Sequence, residues 1–109
     1  MAKREPKTLV IFRVWRNGYG RGDVIALFPT IPADADSRFC QSYEHIGQHG
    51  AAEPLGVVQA TRPATKREAQ PLLRELRKIG YNLQVVARLR SCHYEARKSA
   101  LKAYAKEEQ

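Results

Sequence analysis

Thr8-Leu9-Val10-Ile11-Phe12-Arg13-Val14-Trp15-Arg16 decides how this chain folds. β-Branched and aromatic side chains dominate it, which favours a strand. Successive side chains on a strand point to opposite faces. Val10, Phe12 and Val14 therefore form one apolar face, while Leu9, Ile11 and Trp15 form a second, with Arg13 the one exception. A strand that is apolar on both sides belongs in the middle of a sheet whose two faces are both covered.

Working outward, Asn17-Gly18-Tyr19-Gly20-Arg21-Gly22 supplies three glycines for a hairpin connection. Asp23 to Phe28 reads as the second strand, ended by Pro29. The segment 29–37 is expected to be irregular, because Pro29 and Pro32 lack donors and restrict the residues before them. A third strand is expected from Arg38 to His45, followed by a glycine- and alanine-rich loop to Pro54 and a short extended piece from Leu55 to Thr61.

Thr65 with Glu68 three residues later forms a capping box that opens a helix. Ala69, Leu72, Leu73, Leu76 and Ile79 give it an apolar stripe, Arg77 and Lys78 suit its C-terminal dipole, and Gly80 stops it. Pro71 deletes one helical hydrogen bond, which predicts a bend or a loose first turn. Tyr81 to Arg90 alternates again as a strand. Ser91 then caps a basic helix, about Cys92 to Lys106, whose thin apolar stripe predicts weak docking. The order is β-β-β-α-β-α. The fold class is α+β: a mostly antiparallel sheet of about four strands with one amphipathic helix packed on it. Residues 1–109 are read as a single domain, with 1–7 expected to be flexible and 91–109 a basic C-terminal helix, read as an extension.

No run of about 18 apolar residues exists to cross a membrane. Two cysteines, Cys40 and Cys92, fit a chain kept reduced in a cytoplasm. The net charge of +8 is lopsided: residues 1–61 hold seven Lys/Arg against six Asp/Glu, and residues 62–109 hold twelve against five. Such asymmetry points to an acidic partner, either nucleic acid or an acidic protein surface. Arg88 and Arg90, on the polar face of the last strand, join Arg97, Lys98 and Lys102 of the last helix as the expected nucleic-acid-binding patch.

Chemistry-bearing side chains concentrate in Phe39-Cys40-Gln41-Ser42-Tyr43-Glu44-His45-Ile46-Gly47-Gln48-His49-Gly50. Tyr43, His45, Gln48, His49 and Gly50 form an expected partner-binding loop, with Gly50 and its neighbours offering backbone N–H groups to an anion. The bland alternative makes Tyr43 and His45 satisfied core groups. The spacing of Cys40, His45 and His49 matches no common zinc module, and strand alternation sends Cys40 and His45 to opposite faces, so neither a metal nor a cysteine nucleophile is expected. No cofactor and no catalytic residue is assigned. An acid–base pair of His45 and His49 stays open, as in a small hydrolase or nucleotide-binding enzyme.

Several strings in the chain carry a resemblance: Val10-Ile11-Phe12-Arg13, Asp23-Val24-Ile25-Ala26-Leu27-Phe28-Pro29, Cys40 to Ala52, Thr61-Arg62-Pro63-Ala64-Thr65 and Ile79-Gly80-Tyr81. Together they resemble a family of short uncharacterised proteins encoded by bacteriophages and conjugative elements. Ser42-Tyr43-Glu44-His45-Ile46-Gly47-Gln48-His49-Gly50 is the most specific part. The resemblance implies a small accessory protein of a mobile element, acting in the host bacterial cytoplasm. The expected function is non-enzymatic binding of nucleic acid or a host nucleoprotein complex, in a setting that fits interference with host defence.

Overall fold

The structure is a computed structural model that describes residues 7–18, 20–45 and 48–107. Its elements are β1 (Thr8–Trp15), β2 (Val24–Pro32), β3 (Cys40–Glu44), β4 (Gln48–Ala52), α1 (Pro54–Ala60), β5 (Thr61–Pro63), α2 (Lys66–Ile79), β6 (Leu83–Val85) and α3 (Ser91–Glu107). The fold is α+β, as expected. The described sheet has six strands rather than about four, in the order β4-β3-β2-β1-β5, with β6 also on β1. Every pairing is antiparallel except β6 with β1.

β1 lies inside the sheet because it can bury both of its faces. Val10 and Phe12 join Ala26, Phe28 and Tyr43 under α2, where Ala69, Leu72, Leu73 and Leu76 complete one core. Ile11 faces the other way with Ile25, Leu27, Cys40 and Ala52, and Trp15, Val57, Val86 and Leu89 pack against them. Arg13 also faces that side. It is buried, with Nε donating to Thr61 Oγ1 at 2.9 Å and Nη2 donating to the Val58 and Thr61 carbonyls at 2.9 and 2.8 Å. A cation at the carbonyl end of α1 complements the partial negative charge there and pins that short helix to the sheet.

The β1–β2 connection uses glycine for its backbone: Gly18, Gly20 and Gly22 all have positive φ, between 79° and 88°. β2 does not stop at Pro29 but runs to Pro32. A register shift between Phe28 and Pro32 accommodates the two prolines, which cannot serve a regular ladder.

Four other expectations are corrected. The loop expected before Pro54 contains β4, whose His49 and Gly50 pair opposite Tyr43 and Ser42. The extended piece expected from Leu55 is α1. Pro54 starts it and the Glu53 carboxylate caps it, accepting from the Leu55 and Gly56 N–H groups, a pattern hidden by two valines of strand propensity. α2 runs unbroken through Pro71; its Thr65–Glu68 capping box is formed in both directions, so the first turn is held in place. Finally, only Leu83–Val85 of the expected 81–90 strand pairs with the sheet. Beyond it Val86 and Leu89 cross to the opposite core, and α3 docks against β2.

The result is a three-layer arrangement. α2 covers one face of the sheet, and α1 and α3 lie on the other. No buried side-chain nitrogen or oxygen among the described residues lacks a hydrogen-bond partner, and no described helix is long and apolar enough to cross a membrane.

Candidate functional site

The β3–β4 hairpin brings Tyr43 and His49 together. They are directly opposed in the ladder, and their rings meet edge-on with centroids 4.7 Å apart. The Nε2 atom of His49 lies 3.0 Å from the Tyr81 hydroxyl. Tyr81 in turn stacks on Phe28 at 5.0 Å. Burial, followed by the neighbouring Tyr43, pushes the Tyr81 phenol above its usual pKa. An aromatic row thus runs Phe28, Tyr81, His49, Tyr43 beside the end of α2, just after its Gly80 cap.

Tyr43 is only 1% exposed, which removes it from direct contact with any partner and corrects its place in the expected recognition loop. Gly50 is likewise not a loop residue. It sits mid-strand opposite Ser42, where an added Cβ would be 3.5 Å from Ser42 Oγ. The surface beside it is a shallow concavity of about 710 Å³ lined by Trp15, Ser42, Glu44, Glu53 and Val57 among others. Burial and the nearby Asp23 raise the Glu44 pKa. Two carboxylates on this surface oppose an anion, so the anion-binding nest expected at Gly50 is not built. The backbone of Gln48 belongs to β4; its side chain lies outside the described residues.

His45 does not share the site of His49. It occupies the exposed turn after β3, and its Nδ1 faces the Glu75 carboxylate of α2 at 3.2 Å. His49 instead serves Tyr81. The two imidazoles therefore have separate partners and border separate concavities, which is not the arrangement of a cooperating acid and base. Cys40 is fully buried in the opposite core, and burial pushes its thiol up to about 11. No group of three or more His, Cys, Asp or Glu that could hold a metal occurs among the described residues.

The cationic patch expected near the C-terminus divides. Arg97 leaves it. Its side chain is buried at 2% exposure, with Nε donating to the Ser37 carbonyl at 2.8 Å and Nη1 donating to the Pro29 carbonyl at 2.6 Å. No phosphate could reach it without undocking α3. Arg88 and Arg90 remain exposed, but they follow β6 in an irregular segment and are not on a strand face. Lys98 and Lys102 stay on α3, the first with Nζ 5.5 Å from the Tyr94 ring centroid.

α2 exposes five further cations that the sequence analysis assigns to no site: Lys66, Arg67, Arg74, Arg77 and Lys78. Their signal lies in the helical spacing, which sets all five away from the apolar stripe; in the sequence Arg77 and Lys78 stand out only as cations suited to the C-terminal dipole. Comparison of the chain with family models, with curated proteins and with solved structures gives no match.

Proposed function

We infer that this chain is a small non-enzymatic binding protein of a phage or other mobile element. It acts in the host bacterial cytoplasm on nucleic acid or on a host nucleoprotein complex, and interference with a host defence system is the role that fits the setting. The observation that carries the binding half of this reading is the state of the excess charge. Among the described residues the ion pairs are Arg38–Asp36, His45–Glu75 and Arg62–Glu68, so most exposed Lys and Arg side chains of the described residues lack a carboxylate partner. A surface of that kind attracts polyanions over long range and holds them by releasing their counterions. The mobile-element half rests on the family resemblance of the β3–β4 hairpin and its flanking strings.

Catalysis by His45 and His49 gains no support from the geometry, since the two rings are committed to different partners. Fluorescence anisotropy of labelled DNA and RNA across a salt series tests the binding reading. Binding at low salt that weakens linearly in log–log form is expected. No binding to either nucleic acid would overturn it and leave an acidic protein as the partner to seek.

A further inference from the structure

α2 divides its circumference cleanly. Ala69, Leu72, Leu73 and Leu76 are buried against the sheet. On the border, Glu68 pairs with Arg62 at 2.6 Å, and Glu75 faces His45 at 3.2 Å. The arc away from the sheet holds Lys66, Arg67, Gln70, Arg74, Arg77 and Lys78, all exposed, with exposed Pro71 at its edge, while exposed Ile79 lies on the opposite flank. At 3.6 residues per turn these five cations fall within about a third of the helix circumference. No acid interrupts them, and none of the five forms an ion pair among the described residues. The solvent side of α3 differs: Glu95 stands one turn before Lys98 and almost two turns before Lys102, on the same side.

We propose that the α2 arc is a binding site for the phosphate backbone of a double-stranded nucleic acid. The inference rests on the binding reading above and gives it a location and a ligand class. Three features select the ligand. From Lys66 to Arg77 the helix rises about 16 Å, enough to set cations at its two ends against the phosphate rows flanking a major groove about 12 Å wide. The arc presents no aromatic or large apolar side chain. Single strands are held by stacking their bases on aromatics, and tight protein interfaces centre on aromatic or apolar anchors, so a duplex backbone fits this surface better than either. Finally, the arc belongs to a stiff element, closed by a complete capping box at one end and by Gly80 at the other, with its apolar side fixed in the core. The cations are thus presented in a fixed row, at little ordering cost beyond their own side chains.

Backbone contact of this kind carries no sequence information. The expected behaviour is binding to any duplex, with the log–log salt slope set by how many of the five cations meet phosphates.

The test uses the full chain with a short DNA duplex, an RNA duplex of the same sequence, and the single DNA strand, titrated across a salt series. Arg67→Gln with Arg74→Gln should flatten the duplex slope by about two and weaken binding roughly tenfold or more at 0.1 M salt. Lys66→Gln with Arg77→Gln forms an independent second pair with the same expected effect, and circular dichroism verifies that each variant keeps its helices. Lys98→Gln with Lys102→Gln on α3 should change the slope much less. Equal effects on the DNA and RNA duplexes assign the site to phosphate rows in general, and an effect on one alone identifies which duplex it serves. If the α3 pair lowers the slope and neither α2 pair does, the location is wrong while the binding reading stands. Tighter binding of the single strand would overturn the ligand class. No binding of any of the three would overturn both.

Discussion

Arg97 of α3 donates from Nη1 to the carbonyl oxygen of Pro29 in β2, 2.6 Å away. The register shift in β2 leaves that carbonyl outside the regular pairing with β3, and the guanidinium supplies its partner. Nε of the same side chain takes the Ser37 carbonyl on the loop that follows. One arginine therefore ties the last helix to the strand and to the loop at its end. This explains how a helix with a thin apolar stripe docks firmly. Hydrogen bonds from a charged donor each contribute about 1.5–3 kcal/mol. Arg97→Ala should destabilise the fold by about 2–4 kcal/mol in urea denaturation, because both carbonyls lose their donor. Arg97→Lys should recover only part of this, since one ammonium lacks the planar fork. A loss below about 0.5 kcal/mol would contradict the docking role.

Leu76 tests the other layer. It is fully buried under the sheet with Val10, Phe28 and Tyr43 in the same core. Leu76→Ala removes three carbons from a packed interior and should cost about 2–5 kcal/mol. Unchanged stability would mean that α2 does not pack on this face.

The two cysteines should differ sharply in reactivity. The Cys40 thiol is enclosed in the core beneath α3, and burial raises its pKa to about 11, outweighing the nearby Arg97 cation. Cys92 is exposed in the first turn of α3. Since the thiolate is the nucleophile, a disulfide reagent near neutral pH should titrate one thiol in the native protein and two after denaturation. Rapid native labelling of both would contradict the burial of Cys40.

Much of this architecture was legible because local signals agreed with tertiary ones. The two apolar faces of β1 put it inside the sheet, and a capping box, an apolar stripe and a terminal glycine define α2. β4 was not legible, because Gln48 to Ala52 has little strand propensity and becomes a strand only through pairing with β3. α1 was hidden for the converse reason: Val57 and Val58 favour strands, but Pro54 and the Glu53 carboxylate start a helix. At the candidate sites, residue type misled most where burial decided the role. Arg97 looks like a surface cation in the sequence and, like Arg13 on the otherwise apolar face of β1, acts as an internal donor to backbone carbonyls. The α2 cations were legible in principle, since the same spacing that defines the buried stripe places them on its opposite side.

His93 gives a pH dependence whose sign follows from its surroundings. It is buried in the first turn of α3, where its Nδ1 accepts the Arg90 backbone N–H at 3.0 Å while its own backbone N–H donates to the Arg90 carbonyl at 3.0 Å. The accepting nitrogen must be unprotonated for this reciprocal cap. Burial is the main cause holding the pKa below the ordinary 6.5, with repulsion from the Arg90 and Arg97 cations adding to it. The unfolded chain therefore binds a proton at this site more readily than the folded one. Stability from His93 is complete above 6.5 and is lost as pH falls from there through the lower folded-state pKa. Urea denaturation at a series of pH values from about 7 down to about 5 should show stability falling for the natural chain. His93→Gln retains an acceptor and cannot titrate in that range, so it should remove part of the slope. An identical pH profile in the variant would show that His93 does not couple protonation to the docking of α3.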